Sequence, residues 1–492
     1  MIGFDHVSFS YRTPAAAGRA GVEGVSLSVG SGEVVVLCGR SGCGKSTLLR
    51  LAGGLAPRFF PGEVRGRVLL DGEAVDGLAT WEIARRAGFL FQNPRTQFFN
   101  VDTTGEVAFA LESAGRPEEA IRARVGATFE ELGLWSLAGR NIFQLSGGER
   151  QKVAFASIWA MRPGNLLLDE PTSNLDLPSM ADMAGFVKHA KESGCAVLVA
   201  EHRLSWLTGI ADRYVLLENG RLRRVMTAGE FAALDAGEVS RMGLRVRDPD
   251  EIVPHAATTR EVPAAPKPLL AARGLTLDRG GEPVLRGIDL ELSAGEVCAL
   301  TGSNGTGKTT LSRTLCGFEA GAGGTVTIGD AAAARKKRTR VSSMVFQDVN
   351  YQLFAESVAA EVTFGLSRQR AGAVDTDAVL RELALDDVAD RHPATLSGGQ
   401  KQRLAVAACV AAGKRILVFD EPTSGIDLDG MHRVARLLRR LADQGRAVLV
   451  ITHDLELIAC ACDRILHMDG GRIVGQARVA DEFGAIRAAM GS

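Results

Sequence analysis

Short, nearly uninterrupted apolar runs recur along this chain and alternate with segments of helical composition, such as residues 46–52. The runs are residues 33–38, 165–169, 196–200, 415–420 and 447–451. Continuous apolar runs of this length are typical of strands that are buried on both faces of a mostly parallel sheet. Because such strands alternate with helices, the pattern predicts the α/β fold class in each half of the chain.

The chain carries one series of motifs twice, which predicts a duplicated unit. The motifs are GRSGCGKST (39–47) and GSNGTGKTT (302–310), LSGGE (145–149) and LSGGQ (396–400), and LDEPTS (168–173) and FDEPTS (419–424). The two copies are 263 residues apart at the first motif and 251 residues apart at the other two, so the second copy is 12 residues shorter between them.

A proline-rich segment, Arg245 to Pro268, separates the two copies and holds five prolines. Proline at this density disfavours both helices and central strands, so we predict an extended linker. The predicted domains are therefore 1–244 and 269–492, joined by a linker over 245–268. A linker of this length would allow the two domains to meet face to face.

Composition narrows the class of protein. Of the 492 residues, 46% are apolar and 23% are charged, as in soluble globular proteins with sizeable cores. The formal net charge of −1 argues against nucleic acid or an anionic membrane surface as the main partner. We expect no signal peptide and no transmembrane segment. The eight cysteines include no CxxC pair, which predicts buried thiols in a reducing cytoplasm.

The repeated GxxxxGK[ST] motif predicts a loop that binds phosphate. Its glycines let backbone N–H groups point at the β- and γ-phosphates, and the following helix adds partial positive charge at its N-terminus. Lys45 and Lys308 supply a full charge, and the hydroxyls of Ser46 and Thr309 can bind Mg²⁺. The predicted nucleotide-binding residues of the two loops are Gly39, Ser41, Gly42, Gly44, Lys45, Ser46 and Thr47, and Gly302, Asn304, Gly305, Gly307, Lys308, Thr309 and Thr310.

Two acidic residues follow one apolar run in each copy. Asp169 and Asp420 end these runs, where their carboxylates can hold Mg²⁺. Glu170 and Glu421 come next and are predicted to orient or deprotonate the attacking water, which is general-base catalysis.

The phosphate loop, LSGG[EQ]xQ and an apolar run ending in DEPTS together resemble the ATP-binding-cassette (ABC) nucleotide-binding domain, twice in one chain. The resemblance covers nearly the whole chain apart from the linker and the extreme C-terminus. It implies two P-loop NTPase domains in a pseudo-twofold arrangement, with ATP and Mg²⁺ as cofactors and ATP hydrolysis at both sites.

The resemblance also assigns roles outside the loops. Gln92 and Gln347 match the Q-loop, which senses Mg²⁺ and the transmembrane partner, and His202 and His453 match the switch histidine that contacts the γ-phosphate. Residues 173–176 and 424–427 match the D-loop.

Tyr11 matches the aromatic residue that stacks on adenine, and Arg279 stands at the aligned position of the second copy. A guanidinium can also stack on a base, so whether Arg279 replaces the aromatic ring is left open.

The LSGG segments serve the nucleotide held by the opposite domain in this family. One site would combine Lys45 and Glu170 with Ser397, Gly398 and Gly399. The other site would combine Lys308 and Glu421 with Ser146, Gly147 and Gly148. The resemblance therefore implies that the two ABC domains of this chain pair with each other.

Tandem ABC ATPases fall into different classes: importer ATPases, including tandem sugar ATPases, and soluble ATPases of translation or DNA repair. The segments FQNPRTQFF (91–99) and FQDVNYQLF (346–354) resemble energy-coupling-factor (ECF) ATPases of vitamin and cobalt or nickel uptake, although Val349 replaces the usual proline. AEHR (200–203) resembles fused ATPases of thiamine-precursor uptake.

The ECF resemblance implies two kinds of partner, a transmembrane coupling subunit and a small substrate-binding membrane subunit that chooses the substrate. It places the protein at the cytoplasmic face of the cell membrane, as a peripheral subunit without a nucleic acid partner. The basic run 335–340 is predicted to be a solvated loop rather than an RNA contact.

Overall fold

The computed structural model describes residues 1–12, 20–173, 175–254 and 268–489, which fall into two compact units, Met1–Asp248 and Pro249–Ser492. Leu244 and Arg245 are buried in the first unit, and Pro249–Glu251 forms a 3₁₀ turn. Residues 255–267 of the predicted linker lie outside the described residues, so the linker stays a prediction.

Strands and helices alternate along the first unit. Its strands are β1 (Ile2–Tyr11), β2 (Ala20–Val29), β3 (Val34–Cys38), β4 (Gly62–Leu70), β5 (Glu73–Ala74), β6 (Ala87–Leu90), β7 (Asn165–Asp169), β8 (Ala196–Ala200), β9 (Arg213–Glu218) and β10 (Arg221–Thr227). Its helices are α1 (Lys45–Ala52), α2 (Thr80–Arg86), α3 (Thr103–Ser113), α4 (Glu118–Glu131), α5 (Gly147–Trp159), α6 (Leu177–Glu192), α7 (Ala228–Ala232) and α8 (Ala236–Arg241).

A six-stranded sheet with the order β10-β9-β3-β8-β7-β6 forms the centre of the first unit. Its strands β6, β7, β8, β3 and β9 are parallel, and β10 is an antiparallel edge strand. Every residue of β3, β7 and β8 is buried, as the continuous apolar runs predict. Because the carboxyl ends of parallel strands meet at one edge, the segments after β3, β6, β7 and β8 converge there.

A second, antiparallel sheet with the order β2-β1-β4-β5 packs on the central sheet. The inward-facing residues of β1, including Phe4, Val7 and Phe9, are buried in one cluster with Val35 and Leu37 of β3. The other face of the central sheet packs against a cluster that includes residues of α3, α4, α5 and α6.

The second unit repeats this architecture. Its strands are β11 (Pro268–Arg279), β12 (Glu282–Ser293), β13 (Val297–Thr301), β14 (Gly323–Ile328), β15 (Ala331–Ala332), β16 (Ser342–Val345), β17 (Ile416–Asp420), β18 (Ala447–Ile451), β19 (Arg464–Asp469) and β20 (Arg472–Arg478). Its helices are α9 (Lys308–Cys316), α10 (Arg335–Val341), α11 (Val358–Thr363), α12 (Arg368–Ala371), α13 (Thr376–Glu382), α14 (Gly398–Ala411), α15 (Leu428–Asp443), α16 (Leu455–Ala461) and α17 (Val479–Ala489). The sheet orders, β12-β11-β14-β15 and β16-β17-β18-β13-β19-β20, match those of the first unit. The α/β fold class and its duplication are thereby confirmed.

One element differs from its prediction. The basic run 335–340 lies in helix α10, and Arg338 in it is buried. The prediction of a loop was wrong because the run forms a helix, whereas most of its side chains are exposed as predicted and Arg338 alone in the run packs its apolar stem against the core. Seven of the eight cysteines are buried, as expected, and Cys460 is half-buried. No helix in the described ranges is both long and apolar enough to cross a bilayer.

Candidate active sites

A tight loop joins β3 to α1 and another joins β13 to α9, and both depend on glycine. Gly39 and Gly302 open these loops with φ values of 135° and 136°, which side chains rarely tolerate. A Cβ atom on Gly39 would collide with the carbonyl oxygen of Leu217, and one on Gly302 with that of Met468. The loops therefore need glycine at this position to pass over the neighbouring strand.

The lysine of each loop is held inside it. Lys45 Nζ donates hydrogen bonds to the carbonyl oxygens of Gly39 (2.9 Å) and Arg40 (3.4 Å), and Lys308 Nζ donates to that of Ser303 (2.8 Å). Both lysines are buried. Each loop thus concentrates one positive charge at the N-terminus of its helix, where an anion is stabilised. The other predicted loop residues are Ser41, Gly42, Gly44, Ser46, Thr47, Asn304, Gly305, Gly307, Thr309 and Thr310.

A hydroxyl group and a buried carboxylate meet at the end of each phosphate loop. Ser46 Oγ donates to Asp169 Oδ1 over 2.7 Å, and Thr309 Oγ1 donates to Asp420 Oδ2 over 2.8 Å. Burial raises the pKa of Asp169 and raises that of Asp420 to about 6.

These oxygen ligands fit Mg²⁺, which binds through one or two carboxylates together with phosphates and water. In the part of the chain that the structure describes, no three His, Cys, Asp or Glu side chains converge on a common metal position. A Mg²⁺ ion at either pair would take its remaining ligands from phosphate, water and the predicted glutamine ligands, Gln92 and Gln347.

The two predicted catalytic glutamates share an unusual backbone conformation. Glu170 and Glu421 have φ values of 47° and 51°, a left-handed region that non-glycine residues rarely occupy. Their N–H groups each donate over 2.9 Å to the neighbouring strand, at the carbonyls of Ala200 and Ile451. Strained backbone of this kind clusters at functional sites and marks these glutamates as candidates.

The predicted switch histidines lie next to these glutamates. The Nε2 atom of His202 is 3.6 Å from Glu170 Oε1, and that of His453 is 3.6 Å from Glu421 Oε1. His202 Nε2 also lies 3.3 Å from Lys45 Nζ. Each unit therefore brings together its loop lysine, hydroxyl, aspartate, glutamate and histidine at one edge of the central sheet.

The Q-loop glutamines differ between the units. Gln92 Nε2 donates to Glu170 Oε2 over 2.7 Å, so the first unit includes this residue in its site. Gln347 is exposed, and no hydrogen bond within the described residues joins it to Glu421 or Asp420. Glu421 instead accepts a long hydrogen bond from Thr452 Oγ1 (3.4 Å).

The residues predicted near the base also differ. The hydroxyls of Tyr11 and Thr47 are 3.0 Å apart, and Arg50 Nη1 donates to the Tyr11 hydroxyl over 3.3 Å. At the corresponding place in the second unit, Glu319 Oε1 accepts from Arg279 Nη2 (2.6 Å) and pairs with Arg313 Nε (2.7 Å). An ion-pair network therefore stands where the first unit has a tyrosine, and Arg279 is held by Glu319.

The LSGG segments lie at helix N-termini. Ser146 caps α5 by accepting from the Glu149 N–H (3.2 Å), and Ser397 caps α14 by accepting from the Gln400 N–H (3.3 Å). The side chains at 149 and 400 accept from the serine N–H groups in return, which completes a capping box. Gly147, Gly148, Gly398 and Gly399 follow in the first helical turns. Their predicted service to the opposite domain's nucleotide stays a prediction.

Sequence reasoning missed a buried glutamate that holds the Q-loop segment in each unit. Glu106 Oε2 accepts from the N–H groups of Phe99 and Asn100 (2.9 and 2.8 Å), and Glu361 Oε2 accepts from those of Phe354 and Ala355 (2.7 Å each). Both glutamates are 2% exposed. The sequence signal that could have identified them is a charged residue among the apolar positions of a helix, at the same distance from the Q-loop glutamine in both copies.

Comparison with known proteins agrees with the duplicated architecture. A sequence profile of the family described as "ABC transporter" matches residues 22–173 and 285–424. A "Putative ABC transporter ATP-binding protein" of Treponema denticola is 42% identical over 478 residues, covering 96% of each chain. One of Streptomyces avermitilis is 35% identical and covers 98% of this chain and 94% of its own.

Among solved structures, the archaeal ribosome recycling factor aABCE1, in complex with the ribosomal stalk protein aP1, matches with a TM-score of 0.63. It is 22% identical and covers 98% of this chain and 92% of its own. At this identity the likeness shows the fold alone.

Proposed function

This chain belongs to the ABC transporter family and is an ATPase, and from that premise we propose that it is the energy-coupling subunit of an importer. Separate membrane subunits would form the pathway and choose the substrate. The proposed location is the cytoplasmic face of the cell membrane, where the protein would be a peripheral subunit.

The observation that carries this proposal is an exposed aromatic surface beside the Q-loop of each unit. We call these surfaces the aromatic patches: Phe99 and Phe143 with the aliphatic Val101 in the first unit, and Tyr351, Phe354 and Phe364 in the second. Phe99 is 73% exposed, Phe143 is 77% exposed and Phe354 is 65% exposed. Clustered apolar side chains in water are typical of surfaces that bind another protein or a membrane.

The backbone under the first patch is held in place. Glu106 binds the N–H of Phe99, and the Ile142 N–H donates to the Val101 carbonyl over 2.8 Å. Asp102 and Asn141 form a β-bridge between the same two segments. A preorganised apolar surface loses little entropy on binding, which supports a role in docking a membrane subunit.

The ECF assignment rests on the second glutamine of the Q-loop segments. Gln97 Oε1 accepts from the Phe91 N–H (3.3 Å), and Gln352 Oε1 accepts from the Phe346 N–H (2.6 Å). Each glutamine side chain thus binds the residue directly before the Q-loop glutamine and holds in place the segment that leads from the Q-loop to the aromatic patch. Because ECF-type ATPases carry this glutamine, we propose uptake of a vitamin, a vitamin precursor or a metal ion.

In the proposed mechanism, Lys45 and Lys308 bind the phosphates of ATP, which is the substrate. The pairs Ser46–Asp169 and Thr309–Asp420 would hold Mg²⁺, which neutralises phosphate charge when bound. Glu170 and Glu421 orient or deprotonate the attacking water, and the adjacent histidines hold the γ-phosphate.

Affinity purification of the tagged full-length chain from detergent-solubilised native membranes tests this proposal. We expect membrane proteins to co-purify with the wild type and to be lost from the Phe99→Asp, Phe354→Asp double variant. Trp81→Asp is the matched control, because Trp81 is 59% exposed on α2 and belongs to neither patch. Recovery of ribosomes or DNA with no membrane protein would favour a translation or repair ATPase. Recovery of a sugar-specific permease would favour a sugar importer.

A further inference from the structure

The two histidine loops occupy the same place in their units but carry different neighbours. Glu201-His202-Arg203 follows β8, and Thr452-His453-Asp454 follows β18. The backbone enters both loops alike, because the N–H of Glu201 donates to Leu37 O (3.1 Å) and that of Thr452 donates to Leu300 O (3.3 Å). The acidic residue therefore precedes the histidine in the first unit and follows it in the second.

In the first unit this carboxylate connects two loops of the site. Glu201 Oε2 accepts from Thr172 Oγ1 over 2.7 Å, and Thr172 lies two residues after Glu170. Glu201 Oε1 accepts from the N–H groups of His202 (2.7 Å) and Arg203 (3.2 Å). Glu201 is 2% exposed, so these donors replace hydrogen bonds that its carboxyl group would otherwise make with water.

The second unit makes the same connection from the other side of its histidine. Thr423 Oγ1 donates to Asp454 Oδ2 over 2.7 Å, and Thr423 lies two residues after Glu421. Asp454 and Thr423 are both buried. The threonine of each DEPTS motif is thus bonded to a buried carboxylate of the histidine loop, although the carboxylate comes from a different sequence position.

We propose that Glu201 is a positioning residue of the first ATP site, where it fixes His202 relative to Glu170 as Asp454 fixes His453 relative to Glu421. This inference rests on the proposed roles of Glu170 and His202. The arrangement keeps both histidines 3.6 Å from their glutamates. Since the bridge occurs at both sites with different residues, we infer that the bridge itself is needed, not a particular residue.

The first unit is the better place to test the bridge. Asp454 also accepts from the Leu457 N–H (3.3 Å) and so caps α16, which means that its loss would disturb a helix as well. The corresponding segment of the first unit is only a 3₁₀ turn, Ser205–Leu207, without a side-chain cap. Changes at Glu201 therefore report on the bridge more cleanly.

The experiment measures ATPase kinetics of the full-length chain in the Glu421→Gln background, so that turnover comes from the first site. Glu201→Ala should lower kcat about 100-fold with the KM for ATP nearly unchanged, because misplacing a catalytic group by about 1 Å has that effect. Thr172→Val, which removes the hydrogen-bond donor and leaves the carboxyl group of Glu201, should also lower kcat.

The decisive rescue experiment gives the first histidine loop the residue order of the second, with threonine before the histidine and aspartate after it. Glu201→Thr together with Arg203→Asp should restore most of the lost turnover, whereas Glu201→Thr alone should not. If Glu201→Ala does not fold, as judged by its thermal unfolding, Thr172→Val and the double transplant still decide the question. Unchanged kcat in a folded Thr172→Val variant, or equal activity of the single and double transplants, would overturn the inference.

Two reference variants separate this inference from the proposed function. Glu170→Gln and His202→Ala in the same background should each reduce kcat. If they do so while the Glu201 variants do not, the positioning role fails and the proposed site stands. If neither reduces kcat, the proposed roles of Glu170 and His202 fail instead.

Discussion

Ser46 Oγ donates a hydrogen bond of 2.7 Å to Asp169 Oδ1, which joins the phosphate loop to the end of strand β7. Thr309 makes the same bond to Asp420 over 2.8 Å. A hydroxyl from the helix that follows β3 and a carboxylate from the end of β7 are thereby held together, although β8 separates the two strands in the sheet. The pairing explains why Ser and Thr are both acceptable at this position: each offers one hydroxyl at the same distance from the backbone.

Removal of the Ser46 hydroxyl should weaken Mg²⁺ binding at the first site. In a chain whose second site is silenced by Glu421→Gln, we expect Ser46→Ala to raise the Mg²⁺ concentration for half-maximal ATP hydrolysis about tenfold. Ser46→Thr is the matched control, because it keeps the hydroxyl and copies the second unit. Equal Mg²⁺ dependence of the alanine and threonine variants would rule out the predicted ligand.

Replacement of one catalytic glutamate should leave partial ATPase activity. Glu170→Gln removes the general base from the first site alone, so the second site continues to hydrolyse ATP while the first traps its nucleotide. The double variant with Glu421→Gln should hydrolyse ATP about 10²–10⁴-fold more slowly than the wild type. Phosphate release and retention of labelled nucleotide after gel filtration measure both effects, with Glu119→Gln on the exposed face of α4 as control. Full activity of Glu170→Gln would refute its assignment.

The two sites should depend differently on their base-contacting residues. Tyr11→Ala should raise the KM for ATP at the first site about tenfold, since stacking on a base contributes roughly 1–3 kcal/mol. Arg279→Ala should change the KM at the second site less, because Glu319 already binds the guanidinium. The KM values are measured with the opposite site silenced by its glutamine variant. A larger change for Arg279→Ala would show that the guanidinium is the main contact to the base.

A partly buried ion cluster at the end of α4 predicts a pH-dependent stability. Arg124, Arg162 and the Trp159 indole N–H all bind Glu131, whose pKa is lowered to about 2, chiefly by the hydrogen bond from Arg124. A lowered pKa in the folded state means that the carboxylate stabilises the fold above the unfolded pKa near 4.5 and loses this contribution as the pH falls towards 2.

Glu131→Gln should therefore lower the free energy of unfolding of the first unit by about 2 kcal/mol at pH 7. The difference from wild type should shrink between pH 4 and pH 3 in urea-unfolding experiments. Glu118→Gln provides the control, because its ion pair with Arg122 is fully surface-exposed and contributes little. A difference that stays constant with pH would show that packing, rather than charge, is responsible.

Much of the fold and the site could be predicted because the relevant signals are local. Buried strands such as β3, β7 and β8 are continuous apolar runs, and the residues that directly follow them, including Glu170 and His202, must lie at one edge of a parallel sheet. The strand–loop–helix order around Lys45 is likewise contained in nine consecutive residues, 39–47.

Long-range side-chain partners could not be predicted in this way. Glu201 lies 29 residues from Thr172, and Asp454 lies 31 residues from Thr423, so only the folded sheet brings each pair together. Glu319 pairs with Arg279 across 40 residues for the same reason. The exposure of Gln347 depends on local loop geometry that the Q-loop pattern does not encode.

Transport by the purified complex tests the central claim most directly. The chain and its co-purified membrane subunits are reconstituted into vesicles with the ATPase and enclosed ATP inside, and uptake of the externally added small molecule identified in the complex is followed. The account predicts ATP-dependent uptake with the wild type and none with the Glu170→Gln, Glu421→Gln double variant. Equal uptake by both complexes, or a reconstituted complex that hydrolyses ATP without any uptake, would contradict it.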